Sequence, residues 1–312
     1  MTTFAFLFPG QGSQAVGMLD AWGDVAVVRQ TLQEASDALG EDVAALIHAG
    51  PKEQLDLTTN TQPVMLTAGI ACYRAWLAET GMTPSVVAGH SLGEYTALVV
   101  AGSLSLADAL PLVRFRAQAM QDAVPVGVGA MAAILGMEAQ AVREGCTEAA
   151  SATGEPVEAA NFNDPKQTVI AGTKAAVEKA CEVLKAKGAK RALLLSVSAP
   201  FHSSLMKPAA ERLKARLAET RFAVPKIDVV NNVDVKVEAD ATAIRDALYR
   251  QAFGPVRWVE TVQAIRARGI THLVECGPGK VLAGMVKRID AEAISATVLD
   301  PASLSDVKGL LA

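Results

Sequence analysis

Ser91 stands in Gly89-His90-Ser91-Leu92-Gly93, a G-x-S-x-G pentapeptide whose flanks give it the setting that nucleophilic serine chemistry needs. Ser85-Val86-Val87-Ala88 before it is short, apolar and β-branched, and reads as a buried strand. Leu92 to Ala101 after it reads as a helix stopped by Gly102. Strand, tight turn and helix make a nucleophile elbow: the hydroxyl is exposed on the turn, and the flanking glycines let backbone pack on backbone. The amide of Leu92 opens the helix and points to where an oxyanion would form. The chemistry this arrangement predicts is attack of a serine oxygen on an acyl carbonyl.

A serine hydroxyl is a poor nucleophile near neutrality and needs a base within hydrogen-bond reach. His272 begins an apolar strand and reads as structural. His48, in His48-Ala49-Gly50-Pro51, sits at a helix end, where a histidine commonly caps carbonyls. His90 adjoins Ser91, but neighbours on an elbow point apart, so it reads as a pocket wall. His202, in Ser198-Ala199-Pro200-Phe201-His202-Ser203-Ser204, leaves a strand just before a helix beginning at Lys207. Function concentrates at such exits, and His202 is the expected base. Arg114 and Arg116 are two apart on one helix and face different ways, so at most one can enter a site. A solvated side chain is the ordinary reading of each, yet an arginine inside such a site would select a carboxylate substrate by a bidentate pair.

Two glycine-rich loops invite other chemistry. Pro9-Gly10-Gln11-Gly12-Ser13-Gln14 permits an anion-binding nest of amides. Its G-x-G-x-x-x-x-G spacing, ending at Gly17, is not that of a dinucleotide site. Gly277-Pro278-Gly279-Lys280 is not a phosphate loop, because Val274 occupies the position that needs the first glycine.

The elements around these residues alternate short apolar strands with amphipathic helices, which predicts an α/β fold with a mainly parallel sheet. Strands are expected at Phe4–Phe8, Val86–Ala88, Leu193–Val197, Asp228–Val230 and His272–Glu275. Helices are expected at Gln62–Glu79, Leu106–Asp122, Lys207–Glu219 and Val256–Arg268. One stretch breaks the rhythm: a strand at 129–136, a helix from Ala139 to Ala150, strands Val157–Phe162 and Thr168–Ala171 joined by a turn at 163–167, a helix from Lys174 to Lys187, and a strand Arg191–Ser198. That order, βαββαβ, is ferredoxin-like. It predicts a small domain, 126–198, inserted in a large one formed by 1–125 and 199–312, with a ligand cleft between them.

With 312 residues, 51% hydrophobic and 20% charged, the chain can bury a sizeable core and is not disordered. A formal charge of −4 without a long basic run argues against nucleic acid as main partner and gives no reason for membrane binding. The apolar start, Met1 to Phe8, has no basic residue or cleavage site before Pro9-Gly10 and reads as a strand. Cys72, Cys146, Cys181 and Cys276 are scattered, as reduced core residues of a cytosolic protein would be, and no metal site is expected.

Taken together the residues resemble the malonyl-CoA:acyl carrier protein transacylase family. The likeness runs from Phe8-Pro9-Gly10-Gln11-Gly12-Ser13-Gln14 through Gly89 to Tyr95, Arg116 to Gln121, Gly129 to Ala133 and Asn161-Phe162-Asn163. It continues through Ala199 to Met206, Gln251, Gly254 to Trp258 and Glu275 to Gly279. The resemblance implies a hydrolase-like core with a ferredoxin-like insert. It also implies ping-pong transfer of a malonyl group from malonyl-CoA, through a malonyl-serine, to the phosphopantetheine thiol of acyl carrier protein in fatty acid synthesis. Ser91 would be nucleophile and His202 base and then acid; Arg116 would hold the malonyl carboxylate, and the amides of Gln11 and Leu92 would form the oxyanion hole. The main-chain carbonyl of Gln251 would orient the histidine in place of a triad aspartate. His90, Phe201 and Asn161 would line the substrate pocket, with Phe201 and Leu92 favouring malonyl over methylmalonyl units. No cofactor is implied, and the family suggests a cytoplasmic monomer. A freestanding polyketide acyltransferase shares these residues; a serine esterase or thioesterase would instead place its acid between serine and a histidine near the C-terminus. An acidic carrier calls for basic residues near the cleft, for which Lys187, Lys190 and Arg191 are candidates.

Overall fold

The computed structural model describes residues 2–312. Five strands, β1 (Phe4–Phe8), β2 (Val86–Gly89), β7 (Asp228–Val230), β8 (His272–Cys276) and β9 (Ile294–Val298), form one sheet in the order β7-β2-β1-β8-β9, with every pair parallel. β1 shows why it lies at the centre: all five residues are apolar and buried, and their period of two feeds both faces. Phe4, Phe6 and Phe8 enter a core with the helices Thr58–Thr80 and Leu106–Asp122, while Ala5 and Leu7 pack with Trp258, Val262 and Ile265 on the other side. The chain passes from β1 to β2 on one side and reaches β8 on the other. The carboxyl ends of these three strands therefore open onto a switch point, where α/β sheets bind ligands.

The second sheet holds β3 (Gly129–Leu135), β4 (Val157–Asp164), β5 (Gln167–Thr173) and β6 (Arg191–Leu194) in the antiparallel order β4-β5-β3-β6. With the helices Ala139–Thr153 and Lys174–Ala186 this is the expected ferredoxin-like arrangement. Ala132 and Ile134 of β3 face those helices, and Met131 and Ala133 face a second small core that includes Ala160, Val169 and Ala171. Phe201 packs against both that core and the large one. The outer edge of β4 is not free: Phe162 N donates to Val256 O and Val256 N to Ala160 O, each at 2.9 Å, which stitches the antiparallel sheet to the loop before the helix Trp258–Ala267. Arg288 Nε donates to Asp164 Oδ2 at 2.6 Å across the same seam.

Three expectations need correction. The segment expected as a strand at Leu193–Val197, extended to Ser198 in the small domain, is strand only over Arg191–Leu194 and lies in the antiparallel sheet. Val197 N turns back onto Leu195 O at 3.0 Å and ends the pairing. The turn at 163–167 shortens to Pro165-Lys166, because Asp164 Oδ1 accepts from Lys166 N at 2.9 Å and lets both strands run further. β9 was not expected: it is a half-buried edge, and Ser295 and Thr297 dilute its apolar signal.

The elbow is set by close backbone contact. A Cβ on Gly93 would lie 2.1 Å from Phe8 O, and one on Gly89 would lie 1.9 Å from Gly93 C and O. Gly93→Ala should therefore cost about 3 kcal/mol or more and lower Tm by about 5 °C or more, measured by thermal unfolding. An unchanged Tm would mean that the contact with β1 yields easily.

Candidate active site

Ser91 sits between β2 and the helix Gly93–Val100 with φ of 52°, in the left-handed region that only a strongly constrained non-glycine residue occupies. Asn232, just beyond β7, is one constraint. Its Oδ1 accepts from Ser91 N and its Nδ2 donates to Gly89 O, both at 2.7 Å, so one side chain grips the turn on either side of His90. The loop after β1 closes on the elbow from the other side: a Cβ on Gly10 would meet His90 O at 2.5 Å. Glycine there lets the loop that carries Gln11 close on His90. Neither the Gln11 amide nor the Leu92 amide has an acceptor among the described residues.

Ser91 Oγ is 2.7 Å from His202 Nε2. His202 also has a left-handed backbone, φ 59°, and its ring is nearly buried. Its Nδ1 lies 3.0 Å from Gln251 O and 3.1 Å from Gly254 O. Two carbonyl acceptors require a proton on Nδ1, and that tautomer leaves Nε2 as the acceptor for the serine hydroxyl. Burial, and next the charge of Arg116, push the imidazole down from 6.5 to about 3, so it is neutral at physiological pH. Among the described residues no acid side chain contacts His202, which makes this a serine–histidine dyad oriented by backbone.

Arg116 lies on the buried face of the helix Leu106–Asp122, whereas Arg114 turns out and pairs with both Glu41 oxygens at 2.8 Å. Arg116 is 2% exposed, and Nη2 stands 3.1 Å from both Ser91 Oγ and Gln251 Oε1 while Nη1 donates to Gln62 Oε1 at 2.8 Å. Its Nε is buried without a partner among the described residues. A buried guanidinium held only by neutral groups beside a nucleophile is a site for an anionic substrate group.

The remaining candidates separate. His90 points away from the dyad: Nε2 meets Asn163 Oδ1 of β4 at 2.9 Å, and the ring packs on Trp258 at 5.4 Å between centroids. Phe201, partly buried beside His202, stands where the two cores meet. Asn161 is buried on β4, where its backbone forms the bridge to Val256. His48 does not cap carbonyls; its Nδ1 pairs with Asp20 at 2.7 Å. Of the basic candidates, Lys187 is engaged by Glu148 at 2.9 Å, while Lys190 and Arg191 are exposed without an ion pair among the described residues.

The sequence reading missed Asn232, Gln62 and Glu94. Asn231-Asn232 directly after an apolar strand was the available signal, since polar residues at the carboxyl ends of strands in a parallel sheet face the ligand edge.

Residues 5–305 match the family model described as acyl transferase domain. A malonyl CoA-acyl carrier protein transacylase of Salmonella typhimurium is 52% identical over 306 residues, 98% of each chain. The crystal structure of an acyl-carrier-protein S-malonyltransferase from Burkholderia pseudomallei superposes with a TM-score of 0.97 at 65% identity, covering 99% of this chain and 100% of that one. A malonyl-transacylase solved in complex with a type II PKS acyl-carrier protein gives a TM-score of 0.97 at 50% identity, covering 99% and 100%. A serine–histidine dyad on an elbow, a buried arginine at the nucleophile and likeness along nearly the whole length lead to one conclusion: the chain belongs to the acyl transferase domain family.

Proposed function

We propose that this protein moves a malonyl group from malonyl-CoA to the phosphopantetheine thiol of an acyl carrier protein through a malonyl ester on Ser91. The observation that carries this reading is the position of Arg116, whose Nη2 is 3.1 Å from Ser91 Oγ. An acyl group bound to Oγ that bears a carboxylate two carbons away reaches this guanidinium. An acetyl group has nothing to offer it.

His202 Nε2 takes the proton of Ser91 as Oγ attacks the thioester carbonyl. The carbonyl oxygen becomes an oxyanion, which accepts from the otherwise unpartnered amides of Gln11 and Leu92, each worth about 3 kcal/mol in comparable sites. The C–S bond then breaks, the proton on Nε2 passes to the departing CoA sulfur, and malonyl-Ser91 remains. The carrier thiol gives its proton to His202, attacks the ester carbonyl and releases Oγ, which recovers the proton. The substrate also assists the base: Arg116 is one cause of the lowered pKa of His202, and a carboxylate paired with Arg116 offsets that cause. Phe201, next to the base and bulky as in the malonyl-selective relatives that the sequence resembles, favours malonyl over methylmalonyl units. Wherever a bound carboxylate takes over the buried guanidinium, water is kept from it, and transfer gains over hydrolysis.

The reading includes a small domain of 126–198 within a large one of 1–125 and 199–312, and His90, Asn161 and Phe201 lining the cleft between them. Lys190 and Arg191, with their charges unpaired, are the better candidates for an acidic carrier than Lys187. The reaction needs no resident cofactor, since both substrates carry their own thiol. No helix among the described residues is long and apolar enough to cross a membrane, and a cytoplasmic monomer acting in fatty acid synthesis fits the reading. The 50% identical relative solved with a type II PKS acyl-carrier protein supports a second reading, polyketide assembly, with the same chemistry.

Intact-mass measurement after mixing with malonyl-CoA tests the reaction. Wild type is expected to gain one malonyl group and lose it to added carrier protein, and Ser91→Ala to gain none. A wild type that stays unmodified, or an adduct that persists in Ser91→Ala, would overturn the assignment of the nucleophile. Hydrolysis outrunning transfer at saturating carrier would make the protein a thioesterase. Discharge rates onto fatty-acid and polyketide carriers decide the pathway.

A further inference from the structure

Glu94 is a buried carboxylate that the mechanism above does not use. It opens the helix Gly93–Val100 and is 2% exposed. Its Oε2 accepts from Asn232 N at 2.8 Å and from Gln251 Nε2 at 3.0 Å. Those two residues hold every group of the dyad. Asn232 grips the turn at Ser91. Gln251 orients His202 with its main-chain carbonyl, donates from Nε2 to Ser91 O at 3.0 Å and accepts from Arg116 at Oε1. The amide of Gln251 has two possible orientations. Because Glu94 and Ser91 O both offer acceptors, Nε2 must face them and Oε1 must face Arg116.

We propose that Glu94 is a positioning residue for malonyl transfer: its carboxylate fixes Asn232 and Gln251 and supplies the buried negative charge that balances Arg116 when His202 becomes an imidazolium. This rests on the proposed function. The charge count makes the need concrete. Arg116, the imidazolium and Glu94 sum to +2 when Glu94 is neutral and to +1 when it is ionised; a malonyl carboxylate on Arg116 lowers both sums by one and leaves the difference, one buried negative charge, unchanged. Like charges brought together at low dielectric raise the barrier to proton transfer.

Burial raises the Glu94 carboxyl to about 7, against the pull of Gln251, Asn232 and Arg116, so its charge changes within the working range. The groups facing it are Arg116 from the next helix, Tyr95 beside it, Asp234 beyond β7 and Glu238 across a small cavity that Glu94 lines with Leu98, Val229 and Asn231. Asp234 is held by Arg250 Nη1 and Nη2, each at 2.6 Å. The cavity volume, about 10 Å³, is that of one water, which gives a proton on the carboxyl somewhere to point.

Glu94→Gln keeps an acceptor for Asn232 and Gln251 and removes only the charge. The test is the pH dependence of kcat for malonyl transfer in wild type and variant, with Ser91 acylation followed by intact mass. At about pH 8 the variant should be slower by roughly 10- to 100-fold, and by about pH 5.5 the difference should shrink below about threefold, because wild-type Glu94 is then protonated as well. A ratio that stays flat with pH would reduce Glu94 to a structural role and overturn the proposal, as would an unchanged kcat at pH 8. Should Glu94→Gln fail to fold, Glu94→Asp keeps the charge: retention of the acidic limb of the profile supports the proposal, and its loss overturns it. A wild type that is never acylated would refute the proposed function instead, so the two failures are distinguishable.

Discussion

His202→Ala is expected to slow malonyl transfer by roughly a thousandfold, within the 10²–10⁴ that a positioned general base contributes. The loss should fall on kcat, measured in steady state, with malonyl-CoA affinity little changed, because Arg116 and the loop after β1 do not depend on the imidazole. A loss confined to KM would remove His202 from the proton transfer. The same substitution has a thermodynamic signature. The folded imidazole titrates near 3 and the unfolded one near 6.5. Between those values the unfolded chain binds a proton that the folded chain does not, so this residue destabilises the fold as pH falls below 6.5 and has no such effect above it. His202→Ala removes the liability. Its Tm relative to wild type should therefore climb as pH is lowered from about 6.5 toward about 4.

Arg116→Ala should separate substrates that His202→Ala treats alike. Breaking a buried charge pair by deleting one partner costs about 3–5 kcal/mol, so kcat/KM with malonyl-CoA should fall by roughly two hundred- to four thousandfold. With acetyl-CoA the change should be small or even a gain, because removal of the guanidinium lifts one of the two largest causes that depress His202. Competition between the two thioesters, read as acetyl- and malonyl-enzyme by mass, checks this in one tube. Equal losses on both would refute the carboxylate role. Lysine would be a poor replacement, since the planar fork reaches Gln62, Gln251 and Ser91 Oγ at once and a single ammonium cannot.

The strands and the reactive residues were legible in the sequence for different reasons. β1 and β2 are short apolar runs buried on both faces, a pattern that permits little else, and β8 keeps the apolar pair Leu273-Val274 between His272 and Glu275. Ser91 was legible because an elbow needs glycines where backbones touch. His202 emerged only by elimination among the other histidines and from its place at a strand exit. β9 escaped because an edge strand with one half-covered face has no continuous apolar signal. The network behind the dyad was illegible on physical grounds. Gln251 was reached only through the family resemblance, and Asn232 not at all: they lie 160 and 141 residues from Ser91, and polar side chains that serve a distant partner leave no periodicity. Glu94 was harder still: on a helix after an elbow a glutamate is ordinarily a solvated first-turn acid, and only its burial reveals otherwise.

Nucleophile and base share one peculiarity, the left-handed backbone at Ser91 and His202. For residues with a side chain this conformation costs about 1–2 kcal/mol each, a cost that glycine escapes. At His202 that relief is outweighed, because glycine would leave a cavity and strip Gln251 O and Gly254 O of their donor. Ser91, small and partly exposed, has less to lose, so selection for robustness and selection for catalysis pull its codon in opposite directions. A lineage freed from the need to transfer acyl groups would be expected to lose its serine to glycine early, with the buried histidine and the scaffold left standing.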